Sequence, residues 1–473
     1  MQLHAYSPRL RRWLRPSPAV AVASALVVAA ASLPTRVQGQ EAAGLPLIRD
    51  AEIEQLLREY SQPILRVAGL GQRNIRVVII PERSFNAFVI DAKRIFINTG
   101  ALMDAETPNQ IVGVLAHETG HIAGGHLSKL REQLANAQIA AILTTLLGVG
   151  AAAAAATSRS NNVGGNPMAV IVGPQSAIMR SLLSYQRQQE DQADRAGVNF
   201  LRLAHQSPKG MYDTFKRMAD QQLYAAHYAD PYVQSHPMAS ERIAALAEVA
   251  RTSPYWDKKD PPELQLRHDL MRAKLFGYTD RPDSVARRFP LNDNSLPARY
   301  ARAVSAYRHG DPRNAMAQID SLIQAQPNNP YFHELKGQAL VEAGRGQEAI
   351  APLRRAIALA PDPTLIRVLL GQALVSTNDT HLADEAISNL RAAVLSDAEI
   401  PDAYDQLAMA YGRKGDIPDA DLASAQAAFN RGNFSTARQL AGRAKGRFPV
   451  GSPGWVKADD IASFRPPQRG LLQ

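Results

Sequence analysis

The sequence predicts a mostly α-helical protein in two parts, an α+β domain with a small sheet followed by an all-α solenoid. Helical spacing of apolar residues over 48–68 precedes three short segments rich in β-branched and aromatic residues, which predict the sheet. Beyond the proline- and charge-rich segment 251–262, the sequence repeats with a period of 34 residues. We therefore expect one domain over residues 40–255 and a second over residues 256–473.

Residues 1–39 are typical of a cleavable signal peptide. The basic stretch RLRRWLR precedes an apolar run from Ala19 to Leu33, and Val37 and Gly39 are small enough for the −3 and −1 positions of a cleavage site. We expect export and cleavage after Gly39. An uncleaved membrane anchor is the alternative, although the run is short and rich in alanine for a membrane span.

Composition excludes several classes of protein. The formal net charge is +9, but removing the five arginines of residues 1–39 lowers it to +4, so the charge predicts no nucleic-acid partner. The chain has no cysteine, which excludes disulfide bonds, a cysteine-ligated zinc site, a cysteine nucleophile and a lipoprotein anchor.

The first domain has its sheet segments before its longest predicted helix. The strand-like segments are IRVVII (75–80), SFNAFVI (84–90) and RIFINTGAL (94–102). Apolar residues at helical spacing then predict a single long helix over residues 108–133.

The second domain carries an internal repeat. Small residues and prolines recur 34 positions apart, as in Gly310 and Gly344, Ala315 and Ala349, Pro327 and Pro361, and Gly337 and Gly371. This period, with proline at the end of each unit, is typical of tetratricopeptide repeats. We interpret residues 263–448 as a solenoid of stacked helix pairs that offers a concave face to partner proteins, in preference to an irregular helical domain.

The motif that carries chemistry is HETGH at residues 117–121, which matches H-E-x-x-H. On a helix, His117 and His121 lie one turn apart on one face, so both imidazoles can bind a single zinc ion. Glu118 is rotated away from them, so its carboxylate can act as a general base on a water molecule at the metal. The apolar residues 111–116 predict a buried helix, which argues against two surface histidines.

A catalytic zinc ion needs a third protein ligand and leaves one position open for water. His126 lies five residues beyond His121 and, on a continuous helix, points about 140° away from it, so it is a poor candidate. Glu190 and Asp194, in the segment EDQAD (190–194), lie on one face of a second helix. We expect Glu190 to be the third ligand and Asp194 to accept a hydrogen bond from the distal nitrogen of a zinc-bound histidine.

A family resemblance rests on three segments, HETGH, EDQAD and SHPMASERI (235–243). Together they resemble the zinc gluzincin family that includes prenyl-protein peptidases and the heat-shock membrane protease. With the predicted signal peptide and repeats, the resemblance implies one zinc ion per chain, periplasmic localisation and a role in quality control of the Gram-negative envelope. It also implies unfolded or misassembled proteins as substrates, and the outer-membrane barrel assembly machinery as the partner of the repeats. One departure is DAKRIF (91–96), where relatives carry a Gly-Gly turn.

The resemblance also draws attention to His236 and Arg242. His236 is expected either to donate a hydrogen bond to the oxyanion or to occupy the open zinc position in a resting enzyme; the alternative is a structural loop histidine held by Pro237. Arg242 is expected to pair with a carboxylate or with the tetrahedral intermediate, unless it is a helix-surface arginine. An extended substrate is expected to add to an exposed edge strand, with RIFIN (94–98) as the candidate.

Two other classes of function stay open. One is a chaperone or assembly factor that works through the repeats, with restrained proteolysis. The other is an integral membrane peptidase whose uncharged segment, Ala137–Thr157, spans the bilayer; its length is sufficient, but alanine, glycine and threonine contribute little transfer free energy. We prefer a flap near the active site that makes a peripheral contact with the membrane surface or a membrane complex.

Overall fold

The computed structural model describes residues 46–135, 167–224, 236, 240–310 and 312–466. The predicted signal peptide and the uncharged segment Ala137–Thr157 lie outside the described residues. Within the described part, the protein is mainly helical with one three-stranded sheet, as the sequence predicts. None of the described helices is long and apolar enough to cross a membrane.

The first domain begins with helix α1 (Ala51–Val67). The side chain of Asp50 caps this helix by accepting a hydrogen bond from the backbone N–H of Ile53 at 3.0 Å, which contributes about 1 kcal/mol to stability. Apolar side chains at helical spacing bury one face of α1 in the core of the domain: Ile53, Leu56, Leu57, Tyr60, Ile64 and Leu65.

The sheet has the strand order β1–β3–β2, with β1 (Arg76–Ile80), β2 (Ala87–Asp91) and β3 (Arg94–Asn98). Strand β3 pairs in parallel with β1 and antiparallel with β2. The expectation that residues 94–98 form an edge strand is therefore wrong, because β3 is the central strand. Strand β2 forms the edge on one side. The sequence shows where strands occur, but their order depends on the crossover between β1 and β2.

The turn between β2 and β3 consists of Ala92 and Lys93, at the place where the sequence departs from the family pattern. The carboxylate of Asp91 accepts hydrogen bonds from the backbone N–H of Lys93 at 2.8 Å and from Nε of Arg94 at 2.9 Å. Among the described non-glycine residues, positive φ angles occur at Asn74, His205 and Asn378. This turn therefore has no left-handed position and does not need glycine.

Helix α2 (Thr99–Asp104) leads from the sheet into helix α3 (Pro108–Gly124), which carries the HETGH motif. Helix α3 ends at Gly125, whose φ of 64° is left-handed, and residues 126–135 form a separate helical segment. The prediction of one continuous helix over residues 108–133 is therefore wrong. The described part of the domain continues with helices α4 (Pro167–Leu203), α5 (Lys209–Tyr224) and α6 (Ser240–Arg251).

The remainder of the described chain consists of helices that pack mainly on their neighbours in sequence. They are α7 (Pro262–Thr279), α8 (Pro282–Arg288), α9 (Leu296–Arg308), α10 (Pro312–Ala325), α11 (Pro330–Glu342), α12 (Gly346–Leu359), α13 (Thr364–Ser376), α14 (Ala383–Ser396), α15 (Pro401–Lys414), α16 (Ile417–Asn430), α17 (Phe434–Lys445) and α18 (Pro453–Ser463).

Equivalent glycines make equivalent contacts in successive repeats. A Cβ atom at Gly337 would lie 2.4 Å from the side chain of Leu353, and a Cβ atom at Gly371 would lie 2.5 Å from the side chain of Leu390. Both positions therefore require glycine for close helix packing, which explains why glycine recurs after 34 residues. This agrees with the repeat predicted from the sequence.

Helix α7 follows the first domain in sequence and leads into the repeats, and it packs on both. Its residues Met271, Leu275 and Phe276 belong to the hydrophobic core of the first domain. The imidazole of His268, also on α7, lies 3.1 Å from the hydroxyl oxygen of Tyr60 and 2.9 Å from the carbonyl oxygen of Ala105. The first domain is thus not separable from α7 without exposing part of its core.

Ion pairs fix the start of the first domain to the repeats. Asp397, at the end of α14, lies 2.8 Å from Arg49 and 3.0 Å from Arg76. Arg76 also pairs with Glu399. Ala51, at the start of α1, packs into a hydrophobic cluster formed otherwise by repeat helices. These contacts hold the first domain in a defined orientation against the repeats.

Candidate metal centre

The N-terminus of helix α3 is anchored by Asn109. Its side-chain N–H donates to the carbonyl oxygen of Ser207 at 2.8 Å, and its side-chain oxygen accepts from the backbone N–H of Gly210 at 2.7 Å. The carboxylate of Asp260, in the loop before α7, accepts from the backbone N–H of Asn109 at 2.9 Å. Two segments that are distant in sequence, 207–210 and the loop before α7, therefore fix the position of the helix that carries HETGH.

Glycines let helix α3 approach its neighbours closely. A Cβ atom at Gly120 would lie 2.7 Å from the carbonyl oxygen of Ala193 on α4, and one at Gly113 would lie 2.6 Å from the backbone of Met211 on α5. On α4, a Cβ atom at Gly197 would lie 3.2 Å from the backbone nitrogen of His117. The small residues inside HETGH and EDQAD thus set the distance between the two helices that carry the candidate ligands.

Four buried side chains converge on one point: His117 and His121 from α3, Glu190 from α4, and His236. One candidate ligand atom from each residue lies within 4.8 Å of all the others. Nε2 of His117 lies 3.1 Å from Nε2 of His121 and 3.4 Å from Oε2 of Glu190. Nδ1 of His236 lies 3.3 Å from Nε2 of His117 and 3.0 Å from Oε2 of Glu190. Two imidazoles and a carboxylate are therefore available to one metal ion, with a third imidazole beside them.

The chemistry of these groups fits a divalent metal ion. Zinc binds imidazole nitrogen and carboxylate oxygen atoms. Both kinds of ligand are buried here, and a bound cation would neutralise the negative charge of the carboxylates. Both carboxylate oxygens of Glu118 are buried without a hydrogen-bond partner among the described residues, and the nearest imidazole contact is 3.6 Å, to Nε2 of His236. Burial raises the pKa of Glu118. A carboxylate in this environment can accept and return a proton.

Asp194 and Arg242 surround the candidate ligands. Oδ1 of Asp194 lies 2.9 Å from Nδ1 of His117, on the opposite side of the ring from the candidate ligand atom. The guanidinium group of Arg242 donates two hydrogen bonds to Asp194, at 2.6 and 2.9 Å, and lies 3.0 Å from Oε2 of Glu190. Arg242 therefore contacts carboxylates and does not lie on an exposed helix surface. It connects Glu190 and Asp194, two of the three acidic residues of EDQAD.

His126 lies outside the converging group. Its Nδ1 atom lies 3.0 Å from Nδ1 of His121, on the far side of that ring, and its backbone carbonyl accepts a hydrogen bond from the side chain of Gln189 at 3.2 Å. The geometric argument from a continuous helix does not apply, because the helix ends at Gly125. The break lets His126 fold back against His121, a contact that sequence reasoning missed although Gly125 is a signal for a helix end.

Burial and ion pairing act against each other in this site. Burial lowers the pKa of His121 to about 3, so this imidazole is neutral. Burial also disfavours the charged form of His117, but hydrogen bonds with Asp194 and Glu190 outweigh it and raise its pKa to about 9. For Glu190, burial acts to raise the pKa, but the interactions with His236 and the other histidines hold it well below its usual value. The negative charge of Glu190 is balanced by histidines in this structure, and a bound metal ion would take over that role.

A buried pair of imidazoles beside two carboxylates, one of which has no hydrogen-bond partner among the described residues, is an arrangement suited to metal-assisted hydrolysis. The fold and the site together define a metallopeptidase joined to helical repeats. Comparison with known families agrees with this class: residues 48–250 match the model of peptidase family M48, and residues 300–363 match a tetratricopeptide repeat model. The chain is therefore a metalloprotease whose peptidase domain resembles family M48 and whose following helices resemble tetratricopeptide repeats.

Individual relatives resemble the chain over most of its length. The beta-barrel assembly-enhancing protease of Yersinia pestis is 22% identical over 421 residues, which cover 87% of this chain and 83% of that protein. The Escherichia coli protein of the same name is 22% identical over 68% of this chain and 64% of its own length. The metalloprotease LoiP of Escherichia coli is 27% identical over 195 residues, which cover 40% of this chain and 70% of that protein.

Proposed function

We propose that the protein is a zinc-dependent endopeptidase of the periplasm that degrades misassembled outer-membrane proteins and is held at their assembly sites by its repeats. The observation that carries the peptidase activity is the buried carboxylate of Glu118, unpartnered among the described residues, beside the group formed by His117, His121 and Glu190. The names of the Yersinia and Escherichia relatives support the connection with barrel assembly.

In this proposal, His117, His121 and Glu190 hold one zinc ion per chain. When bound, the ion polarises the scissile carbonyl and lowers the pKa of a water molecule. Glu118 accepts the proton of the attacking water and passes it to the leaving amine, as a buried carboxylate with a raised pKa can do. Asp194 holds the imidazole of His117 in one orientation, and its 2.9 Å contact with Nδ1 keeps Nε2 available for the ion.

Arg242 is proposed as a positioning residue. Its guanidinium group is already hydrogen-bonded to Asp194 and lies against Glu190, so its donors are directed at carboxylates of the site. This supports the interpretation that Arg242 orients the ligands, rather than the alternative that it binds the tetrahedral intermediate. Its guanidinium also lies 5.5 Å from the ring of Phe215, which itself packs edge-on against His117.

Strand β2 (Ala87–Asp91) replaces residues 94–98 as the strand proposed to pair with an extended substrate. It lies at the edge of the sheet and packs on helix α3, which carries HETGH. Backbone pairing with an edge strand tolerates many side chains, which suits an enzyme that acts on unfolded chains. The side chain of Arg131 donates to the carbonyl oxygen of Ile90 at 3.3 Å, so one acceptor of this edge is covered in the absence of substrate.

His236 is proposed to restrain the enzyme. Its Nδ1 atom lies within the converging group, where it competes for the position that an attacking water molecule needs. This supports the resting-state interpretation of His236. The alternative, a hydrogen-bond donor to the oxyanion, requires the imidazole to move away from Glu190, from which it is now 3.0 Å distant.

The repeats are proposed to recruit the barrel assembly machinery. The ion pairs of Asp397 with Arg49 and Arg76 hold the peptidase domain against the repeats, so a partner bound by the repeats has a fixed position relative to the site. A tetratricopeptide solenoid buries its core by stacking and offers a concave surface to other proteins.

Two experiments test this function. Cleavage of casein should be abolished by a chelator and restored by zinc; cleavage that persists without any metal would contradict the enzymatic proposal. For the repeats, a truncated protein should end at Thr279, because α7 packs into the core of the peptidase domain. It should keep its zinc and lose co-purification with barrel assembly proteins from envelope extracts, and capture of the same partners would contradict the recruiting role.

A further inference from the structure

Four arginines line a single cavity of about 420 Å³. Arg83 precedes strand β2, Arg217 lies on α5, Arg272 lies on α7 and Arg288 ends α8. The cavity is therefore built by the peptidase domain together with the helices that lead into the repeats. No role in proteolysis requires this group of side chains.

Two of the arginines are held by an aromatic ring rather than by an acid. The guanidinium of Arg288 lies 4.0 Å from the centre of the Phe276 ring, and that of Arg83 lies 5.3 Å from it. One nitrogen of Arg83 also lies 2.6 Å from the sulfur of Met103. Contacts with a ring and a thioether fix the direction of a guanidinium group without neutralising its charge.

The other two arginines are held by backbone carbonyls. Nε of Arg272 donates to the carbonyl oxygen of Met103 at 3.1 Å, and one nitrogen of Arg217 donates to that of Asp104 at 3.5 Å. The second terminal nitrogen of Arg217 is buried and has no hydrogen-bond partner among the described residues. Buried nitrogens of this kind normally have an acceptor, and no described residue supplies one here.

Carboxylates do not balance the cavity. Among the ion pairs of the described residues, the four arginines take part in one, a 3.7 Å contact between Arg272 and Asp269. Asp104 and Glu106 also line the cavity, so its lining carries four positive and two negative charges. Burial lowers the pKa of Arg272; the charges of Asp269 and Glu106 oppose this shift, and the charge of Arg288 adds to it. Without a bound anion, the positive charges of the four arginines repel one another, which disfavours the folded state.

We propose that this cavity is a binding site for a phosphate group, either free or in the headgroup of a lipid. Guanidinium groups form paired hydrogen bonds with phosphate oxygens, and four of them converge here from three separate segments. A bound phosphate bridges α5 of the peptidase domain to α7 and α8. It thereby stabilises the contact between the peptidase domain and the repeats.

Titration of the full-length protein with inorganic phosphate at constant ionic strength, maintained with sodium chloride, tests the site. Calorimetry should show saturable binding, and the melting temperature should rise along the same curve. Arg217→Ala and Arg288→Ala should each weaken phosphate binding about tenfold or more, the factor expected for the loss of one charged hydrogen bond. Arg287→Ala is the matched control, because Arg287 lies next to Arg288 but does not line the cavity.

Sedimentation with lipid vesicles distinguishes a lipid headgroup from a free phosphate ion as the ligand. If a lipid headgroup is the ligand, the protein should sediment with vesicles of phosphatidylcholine and phosphatidylglycerol, and Arg217→Ala should reduce this while Arg287→Ala does not. Phosphate binding without vesicle binding would identify a free anion. The proposal is overturned if phosphate and chloride act alike, or if Arg217→Ala and Arg287→Ala bind phosphate equally, as they would if phosphate bound only at the metal centre.

Discussion

Asp194 and His117 are joined by a 2.9 Å contact between Oδ1 of the carboxylate and Nδ1 of the imidazole. The other oxygen of Asp194 accepts a hydrogen bond from Arg242 at 2.6 Å, so the carboxylate is itself fixed in place. A proton held on Nδ1 by this contact leaves the lone pair of Nε2 directed at the converging ligands. We propose that Asp194 in this way determines which nitrogen of His117 can bind a metal ion.

Replacing Asp194 tests this relationship. Asp194→Asn keeps the shape of the side chain but removes its charge and weakens its bonds to Arg242 and His117, so zinc affinity should fall about 10–100-fold. Competition with a chromophoric chelator measures the affinity. Asp191→Asn is the matched control, since Asp191 lies on the same helix but is exposed and paired with Arg195. Equal zinc affinity in the two variants would contradict a positioning role for Asp194.

Metal uptake should depend on pH through His117. In the metal-free protein, hydrogen bonds with Asp194 and Glu190 outweigh burial and raise the pKa of His117 to about 9, so this imidazole carries an extra proton at pH 7. The metal ion must displace that proton, and affinity therefore falls as pH falls below about 9. Between pH 7 and pH 8 the affinity should rise about tenfold for the one proton released.

Calorimetry in two buffers of different ionisation enthalpy measures this proton directly. Release of about one proton per zinc ion at pH 7 is expected, because His121, whose pKa is about 3, has none to lose. In Asp194→Asn the released fraction should be smaller. Zinc binding that releases no proton at pH 7 would show that His117 is already neutral.

The close approach of α3 and α4 depends on Gly120. In Gly120→Ala the new methyl group would lie 2.7 Å from the carbonyl oxygen of Ala193, so the helices must separate, at a cost of about 1–3 kcal/mol for overpacking. Chemical denaturation should show this loss of stability. Gly442→Ala is the control, because no atom lies within 4 Å of its Cβ position, and it should be neutral or stabilising by up to about 1 kcal/mol. Similar effects in both variants would mean that helix propensity, not packing, governs position 120.

His236→Ala tests the proposed restraint. Three candidate ligands stay in place, so zinc content should be unchanged, and casein cleavage should increase because the competing imidazole is gone. His381→Ala, at an exposed position in the repeats, is the control. An inactive His236→Ala variant that retains zinc would instead favour the transition-state role for this histidine.

Three of the four side chains that the structure brings together, His117, His121 and Glu190, lie in two short motifs with helical spacing, so local sequence pattern is enough to propose them. His117 and His121 one turn apart, and Glu190 and Asp194 one turn apart, follow from the period of the helix once each segment is assigned. The 34-residue repeat also depends on contacts between neighbouring helices, since Gly337 and Gly371 each accommodate a leucine of the next helix. These features depend on short stretches of chain.

Features that depend on distant segments were not predicted. The central position of β3 depends on the path of the chain between β1 and β2, which no local pattern records. Apolar spacing continues on both sides of Gly125, so the sequence predicts one helix where the structure has two. Likewise, the arginine cavity collects Arg83, Arg217 and Arg288 from positions more than 60 residues apart, and only the folded chain brings them together.

The central claim is that Glu118 acts as the general base at a zinc ion that other residues hold. The most direct measurement is zinc content by elemental analysis together with the rate of casein cleavage in Glu118→Gln. We predict one zinc ion per chain, as in the unmodified protein, and a rate lowered by a factor of about 10²–10⁴, the usual contribution of general-base catalysis. Glu118→Gln protein that holds zinc and still cleaves casein at a rate close to that of the unmodified protein would contradict the account.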